Sequence, residues 1–173
     1  MNRLTKELTA LSNLLVTAPG VESTVLDFNL ARRSGVVINR IDSLMNIDVA
    51  AGDITIDAAQ EVDLDPDNTD VWTGAVLLAD NLDMDSSRLI RHRFQSISRN
   101  GTAEAVTYPQ AWMWHDYTNL ALEERPLSIT NLRHHLRLVQ TIGSGDINGL
   151  VIVTYVIVEL TLQELGIVNA GRR

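Results

Sequence analysis

The sequence predicts an all-β fold: an antiparallel β-sandwich or barrel, and more narrowly a single jelly roll of about eight strands. Three observations lead to this fold class. Short segments that are rich in β-branched residues, or that alternate between apolar and polar residues, recur along the chain. Turn signals such as Pro-Gly, Ser-Gly and Asn-Gly separate them. No helical pattern is interleaved with these segments, which excludes a parallel α/β fold. A jelly roll has eight strands in two sheets, which is about the number predicted here.

The N-terminal segment is the predicted exception to this strand pattern. Its leucines recur at helical spacing and Asn2 can cap the first turn, so residues 3–16 predict an amphipathic helix that ends before a Pro-Gly pair. We therefore divide the chain into a helix or arm over residues 1–20 and a jelly-roll barrel over residues 21–173. The arm is expected to be an accessory to the barrel. The leucines of the stripe are Leu4, Leu8, Leu11 and Leu15.

The predicted strands follow one another along the rest of the chain. In most of them apolar and polar residues alternate, as in a strand that has one face in the core. The pair Asn100-Gly101, between two of these strands, is a strong hairpin signal. The predicted strands cover residues 26–30, 36–41, 53–57, 71–80, 88–97, 103–108, 111–117, 136–142 and 150–162.

The last predicted strand, Leu150 to Leu162, is the most informative segment. Its first half is uncharged and mainly β-branched, which favours a strand over a helix. Glu159 arrives after nine residues, whereas a membrane-spanning helix needs about 20 apolar residues. Both faces of the strand are apolar, so we predict that another subunit covers at least one of them. The residues predicted for this interface are Val151, Val153, Tyr155 and Ile157, with Ile152, Val156 and Val158 on the opposite face.

Composition and charge limit the class of function. The 173 residues are enough for one domain with a core, and 45% hydrophobic residues exclude a disordered chain. The absence of cysteine removes disulfides, zinc ribbons and thiol nucleophiles, and no signal peptide is expected. The net charge of −8 argues against a specific nucleic-acid partner, because phosphate binding depends on a surplus of basic residues.

The basic residues are almost all arginine, and several of them lie close together. Thirteen of the 14 basic residues are Arg, which binds carboxylates through a planar fork and suits interfaces. A GC-rich genome would explain the same bias. In strand geometry Arg91 and Arg93 share a face. We predict that this face pairs with Asp-rich loops and sets the register of association; a phosphate-contacting stripe is the alternative.

The acidic segment "DLDPDNTD" is the candidate metal site. Its alternating carboxylates match the oxygen ligands of a calcium loop. The glycine expected at the sixth position is Asn68, and the glutamate expected at the twelfth is Gly74, so an acidic solvated turn is the competing interpretation. The calcium candidates are Asp63, Asp65, Asp67 and Asp70.

No constellation in the sequence predicts catalysis. His115-Asp116 could form a base and its orienting group, but no G-x-S-x-G elbow supplies a nucleophile. His134 and His135 would point to opposite faces of a strand, which is wrong for two ligands of one metal. We therefore expect no catalytic residue, no bound metal and no cofactor.

The strand layout itself carries a family resemblance. Its main segments are "SGVVINRI", "VWTGAVLL", "RHRFQSISRNGTAEAVTY" and "GLVIVTYVIVELTL". In size and layout the whole chain resembles the smaller major capsid protein of tailless icosahedral Thermus bacteriophages that enclose an internal membrane. The resemblance implies a single jelly roll that assembles with itself and with a larger second major capsid protein over that membrane, in contact with it or near it. It also implies a thermophilic virus, synthesis in the host cytoplasm, a final location in the virion, and no catalytic residues.

Two other classes of function stay open. A carbohydrate-binding sandwich would use Trp112 and Trp114 as a stacking platform, and its Asp-rich loop would hold calcium. A cupin-like enzyme would need inward-pointing His and Glu ligands, and His134 and His135 have no matching set in the sequence. Assembly into defined oligomers would favour the capsid interpretation, whereas chelator-sensitive glycan binding would favour the lectin.

Overall fold

The chain folds into two antiparallel β-sheets, named here sheet A and sheet B. In the computed structural model the described residues are 1–49, 54–64, 88–98, 106–107, 111–140 and 145–170. Within these residues every strand belongs to one of the two sheets, and one α-helix follows the last strand. The all-β antiparallel architecture predicted from the strand pattern is confirmed.

Sheet A is built on two long strands at its centre. β4 (Ser34–Val49) and β11 (Gly145–Glu159) pair along their length, with one register shift between Thr154 and Tyr155. Both strands are rich in β-branched residues, which pack well in a strand that has a neighbour on each side. The other members are β1 (Asn2–Arg3) and β2 (Leu8–Val16), which pair with β11, and β7 (Val106–Thr107), β8 (Ala111–Asp116) and β9 (Leu127–Ser128), which pair with β4.

Within the described ranges, sheet B has four strands, and their pairings are antiparallel. Alternation within one of these strands separates inward residues such as Leu136 from outward residues such as Arg137. In the order of the sheet the strands are β3 (Gly20–Leu26), β10 (Leu132–Gln140), β5 (Ile54–Asp63) and β6 (Arg88–Ser98).

The main core lies between the two sheets and takes side chains from both. Val151 and Val153 of β11 have no exposed surface, and they share a cluster with Val62 of β5. Phe28 meets Tyr155 edge-on in the same cluster, with ring centroids 4.7 Å apart. Burying each of these large apolar side chains stabilises the fold by about 1.5 to 3 kcal/mol.

Gly149 of β11 allows the two sheets to approach closely. A Cβ atom at this position would lie 2.9 Å from Cδ1 of Leu136 and 3.2 Å from Cδ of Gln60, both on sheet B. Such distances are below ordinary van der Waals contact, so a larger residue fits only if the side chains of Leu136 and Gln60 shift.

A second apolar cluster covers the other face of β11 near its end. Val156 and Val158 pack there with Leu160. Leu165 of helix α1 (Leu162–Ala170) lies against this cluster. The chain therefore covers this part of the outer face of sheet A by itself.

Helix α1 begins at a reciprocal capping box. The backbone N–H of Thr161 donates to Oε2 of Glu164 over 2.7 Å, and the N–H of Glu164 donates to Oγ1 of Thr161 over 3.2 Å. The strand predicted from Leu150 to Leu162 therefore ends at Glu159, and a helix follows. Among the described residues, no helix combines the length and apolar character needed to cross a membrane.

The predicted N-terminal helix is wrong, because residues 8–16 form strand β2. This strand pairs with β11 along its whole length. In this strand the leucines do not form the buried face. Leu11 and Leu15 are exposed, whereas Ser12 and Val16 are buried. A short isolated amphipathic helix is marginal in water, and β11 offers this segment a continuous ladder of hydrogen bonds. Pairing between distant segments has overridden the local periodicity.

Other predicted segments have different outcomes. The first predicted strand, over residues 26–30, is misplaced, because the observed strand β3 spans Gly20–Leu26. The strand predicted over residues 71–80 lies outside the described residues. The two strands that flank the predicted Asn100-Gly101 hairpin, β6 and β7, belong to different sheets. The division of the chain at residue 20 into arm and barrel stays a prediction, although β2 is part of sheet A.

Candidate assembly surface

The outer face of sheet A presents side chains from four neighbouring strands, in the order β2, β11, β4 and β8. Directly opposite residues of antiparallel strands point to the same side, so the register defines rows that cross the sheet. Neighbouring strands are about 4.8 Å apart, and each row therefore spans roughly 15 Å. Two adjacent rows are Leu11, Ile152, Asp42 and Trp114, and Asn13, Leu150, Leu44 and Trp112.

Apolar side chains on this outer face are strongly exposed. Trp112 and Trp114 expose 61% and 56% of their surface, and their ring centroids are 5.5 Å apart with planes inclined by 47°. Leu11 and Leu15 expose 64% and 56%. Tryptophan is highly buried on average, and contiguous exposed apolar patches mark sites of interaction. We use the name apolar face for the surface formed by Leu11, Leu15, Trp112, Trp114 and the half-buried Leu44, Leu150 and Ile152.

A depression of about 440 Å³ lies within the apolar face. Arg40 and Asp42 form a bidentate ion pair there, with Nη2 to Oδ1 at 2.6 Å and Nε to Oδ2 at 2.8 Å. The hydrogen bonds to Asp42 raise the pKa of Arg40 above its ordinary value, so the guanidinium stays charged. The residues that line the depression are Arg40, Asp42, Leu44, Trp112, Leu150 and Ile152.

The segment that follows β8 is held in place by Arg125. Its guanidinium donates to Oδ1 of Asn39 over 2.7 Å, to the carbonyl of Thr118 over 3.0 Å and to the carbonyl of Leu120 over 3.1 Å. Asp116, the last residue of β8, accepts bonds from the hydroxyl and the N–H of Thr118, which lower the pKa of Asp116. The strand that carries both tryptophans therefore ends in a hydrogen-bonded turn.

Strand β11 contributes to both faces of sheet A, and the structure separates its residues. Val151, Val153 and Tyr155 lie in the core between the sheets, and Ile157 packs against them. Val151 and Val153 are fully buried within the single chain, and the interface role predicted for this strand stays a prediction. Ile152, which is half-buried on the opposite face of the strand, is available to a partner.

Strand β6 carries Arg91 and Arg93, which were predicted to face a partner. The register places Arg91 opposite Glu61 and Arg93 opposite Ala59. Glu61 has no exposed surface, so the outer face of sheet B is covered within the single chain at this point. The side chains of Arg91 and Arg93 lie outside the described part of the structure, and their interface role stays a prediction.

The candidate calcium ligands fall into two groups. Asp63 is the last residue of β5, is buried, and lies opposite Arg133 in the register. Asp65, Asp67 and Asp70 lie outside the described residues. Over the ranges that the structure describes, no three His, Asp or Glu side chains come together as a group that could hold a metal ion.

The histidines that were considered for chemistry lie in three different environments. His115 is exposed, and its ring stacks on Tyr117 with centroids 6.2 Å apart. His134 lies between the sheets, with Nδ1 2.7 Å from Oγ of Ser12, and both residues are buried. His135 bonds to sheet B's edge strand on the opposite face, as strand alternation predicts.

Comparison with known proteins assigns no family. No protein-family model and no curated protein sequence matches this chain. Among solved structures, the chain is similar to VP2 in the subviral particle of infectious bursal disease virus, with a TM-score of 0.33 and 9% sequence identity. The similar region covers 88% of this chain and 37% of the VP2 chain, so this chain spans little more than a third of that protein's length.

Proposed function

We propose that this protein is a structural subunit that acts by assembly: a viral capsid protein with a single jelly-roll fold. It associates with copies of itself and with a larger second coat protein to form a shell around an internal membrane. The observation that carries the proposal is the apolar face, a large exposed surface of sheet A that the described chain leaves uncovered.

The order of strand pairing supports the jelly roll. Among the described residues there are eight longer strands, which in chain order, from first to eighth, are β2, β3, β4, β5, β6, β8, β10 and β11. The first pairs with the eighth, the second with the seventh, the third with the sixth, and the fourth with the fifth. Two further pairings, eighth with third and seventh with fourth, join these pairs into two sheets. This nested order is what results when one long hairpin is wrapped into a barrel of two Greek keys.

The size of the apolar face supports a role in association. Tryptophan side chains contribute up to about 250 Å² each when fully exposed, so Trp112 and Trp114 together expose on the order of 250 Å² at the observed fractions. Leu11 and Leu15 extend this area across the sheet. A standard protein interface buries about 800 Å² on each partner, with aromatic residues enriched at its centre. The apolar face is therefore large enough to form the centre of such an interface.

The ion pair on the apolar face favours a second copy of the chain as one partner. Arg40 and Asp42 place opposite charges side by side. When two identical surfaces meet across a two-fold axis, each charge of one copy can lie near the opposite charge of the other. Such an arrangement steers encounter and rejects wrong partners more than it adds affinity.

The other parts of the proposal rest on the family resemblance. The larger coat protein, the internal membrane, the virion location and synthesis in the host cytoplasm follow from it. The net charge of −8 agrees with a shell protein that has no specific nucleic-acid partner. The proposed subunit has no catalytic role, because its surface is the functional element.

Sedimentation velocity on the full chain tests the proposal. At micromolar concentration we expect the wild type to form dimers or larger species, and the double variant Trp112→Ala/Trp114→Ala to sediment mainly as monomer. Leu162→Ala/Ile167→Ala is the matched control, because these side chains are at least as exposed as the two tryptophans but lie on helix α1. A wild type that remains monomeric at high micromolar concentration would overturn the proposal.

A carbohydrate-binding sandwich is the second candidate, favoured by the exposed Trp112 and Trp114 beside the polar Arg40 and Asp42. The two indole rings contact each other, and the depression has a partly aliphatic lining, which fits a protein partner better than a sugar. Isothermal titration with a panel of oligosaccharides separates the two candidates. Glycan binding that Trp112→Ala abolishes, without any change in sedimentation, would replace the capsid proposal.

A further inference from the structure

A buried polar bridge connects the two sheets through His134. This residue of β10 has no exposed surface. Its Nδ1 is 2.7 Å from Oγ of Ser12 in β2, and its Nε2 is 3.0 Å from Nε2 of Gln60 in β5. Because β2 belongs to sheet A and the other two strands to sheet B, the imidazole ring holds an outer strand of one sheet to the interior of the other.

The bonds of Gln60 determine which ring nitrogen of His134 carries the proton. The amide nitrogen of Gln60 also donates to the backbone carbonyl of Leu150 over 3.2 Å. A carbonyl oxygen only accepts and an amide nitrogen only donates, so Nε2 of His134 is the acceptor of the second amide hydrogen. Nδ1 then carries the proton and donates to Ser12. The bridge therefore fits the neutral ring.

A second proton on His134 would disrupt this arrangement. It would bind at Nε2 and point at an N–H group of Gln60, so that two donors would face each other. Rotation of the Gln60 amide would present an oxygen to the ring, but the carbonyl of Leu150 would then lose its donor. Either arrangement leaves a buried polar group without a partner, which is unfavourable.

The contacts of His134 to the other elements include the uncharged side chains of Ser12 and Gln60. In the register of sheet B, Thr24 of β3 and Val62 of β5 lie directly opposite His134. On β10 itself, the charged or titratable neighbours Arg133 and His135 alternate to the other face. On β6 the register places His92 opposite Gln60, so His92 is the further titratable residue to control for.

We propose that His134 is an acid-sensitive link between the two sheets. Uptake of one proton at Nε2 breaks the bridge from Ser12 to Gln60 and loosens β2 from sheet B. The unfolded chain takes up this proton near pH 6.5, the ordinary value for histidine, whereas the folded chain resists it. The stabilising effect is therefore complete above about pH 6.5 and is lost as the pH falls below it, with the folding equilibrium constant declining up to about tenfold per pH unit. The inference is independent of the proposed capsid function.

Denaturant unfolding of the full chain between about pH 8 and about pH 5 tests the link. Relative to the wild type, His134→Gln should flatten the dependence of the folding constant on pH. With Gln60→Glu, the contribution of this site to the folding constant should increase as the pH falls, the reverse of the wild type. The reason is that a carboxylate accepts a hydrogen bond from protonated Nε2. His115→Gln and His92→Gln are controls, and both should keep the slope of the wild type.

The proposal fails if the wild type and His134→Gln have the same dependence on pH, or if His92→Gln alone removes it. Should His134→Gln not fold, nitrogen NMR of the imidazole rings in the wild type decides the question. We expect the His134 ring to stay neutral, with its proton on Nδ1, well below about pH 6.5. A ring already doubly protonated near that pH in the folded chain would overturn the proposal.

Discussion

The outer faces of sheets A and B reverse the usual distribution of apolar and charged side chains. On sheet A, Trp112 and Trp114 are exposed, whereas on sheet B, Glu61, Asp63 and Arg137 are buried. Charged residues are rarely buried unless they are paired, so the charged face is completed within the single chain. The apolar face is left open. An assembly surface is therefore recognised by the face that the chain leaves uncovered, and not by the most apolar strand.

The largest expected effect contrasts two adjacent residues of β11. Val153→Asp places a carboxylate in the core and should destabilise the fold by about 3 kcal/mol or more, enough to prevent folding of many domains. Ile152→Asp points to the apolar face and should change the free energy of unfolding by about 1 kcal/mol or less while it weakens association. Denaturant unfolding and sedimentation of both variants measure the two effects. Equal loss of stability in both variants would contradict the assignment of the two faces.

A smaller effect is expected where the sheets approach each other. Gly149→Ala should destabilise the fold by about 1 to 3 kcal/mol, because its Cβ would press on Leu136 and Gln60. Gly166→Ala in helix α1 is the matched control. Its Cβ would meet nothing within 4 Å, so the substitution should stabilise the helix by up to about 1 kcal/mol. If thermal unfolding midpoints show the same sign for both substitutions, the close packing of sheet B on Gly149 is wrong.

The arginines of β6 sharpen the comparison between the two outer faces. If Arg91 and Arg93 lie in an interface, reversing both charges should change the melting temperature of the protein by only a few degrees. The same double substitution should weaken association. Arg91 lies opposite Glu61, and Arg93 lies opposite Ala59. Like charges directly opposite each other are destabilising, so melting of the single variants Arg91→Glu and Arg93→Glu is informative. A large loss of stability in Arg91→Glu alone would assign Arg91 to the closed charged face of sheet B.

The smallest expected effect concerns the part of sheet A's outer face that helix α1 covers. Hydrogen bonds from the amine of Met1 and from Thr161 lower the pKa of Glu164 to about 2. Because this pKa is below the unfolded value of 4.5, the stabilising effect is present above about pH 4.5 and lost as the pH falls towards 2. Glu164→Gln should lower the thermal midpoint slightly at neutral pH, and this effect should shrink as the pH falls from about 4.5 towards 2. Glu22→Gln serves as an exposed control. A pH-independent difference would contradict the role of this charge.

Much of the fold could be predicted from alternation and turn signals. The strand at Val36 to Ile41 and the uncharged run from Leu150 were both located, since fully paired central strands are rich in β-branched residues. The N-terminal strand was missed because its leucines happen to recur at helical spacing, and its pairing with β11 is not a local property. Helix α1 was missed although Thr161 and Glu164 carry the capping-box pattern.

The candidate assembly surface was only partly predictable. The exposed tryptophans were identified as a binding platform for the alternative function, but the sequence does not say which strands lie beside them. Leu11 and Ile152 lie in one row with Trp114 only because β2, β11, β4 and β8 are neighbours. Strand β11 is apolar on both faces. Which of the two faces lies in the core depends on the opposite sheet, and the local sequence pattern does not reveal this.

The accessibility of Trp112 and Trp114 during association tests the central claim most directly. Trp72→Phe leaves these two as the only tryptophans, so acrylamide quenching of fluorescence then reports on the apolar face alone. We expect the quenching constant to fall severalfold as the protein concentration rises through the range in which sedimentation shows association. Association with unchanged quenching would show that another surface joins the subunits and would contradict the account.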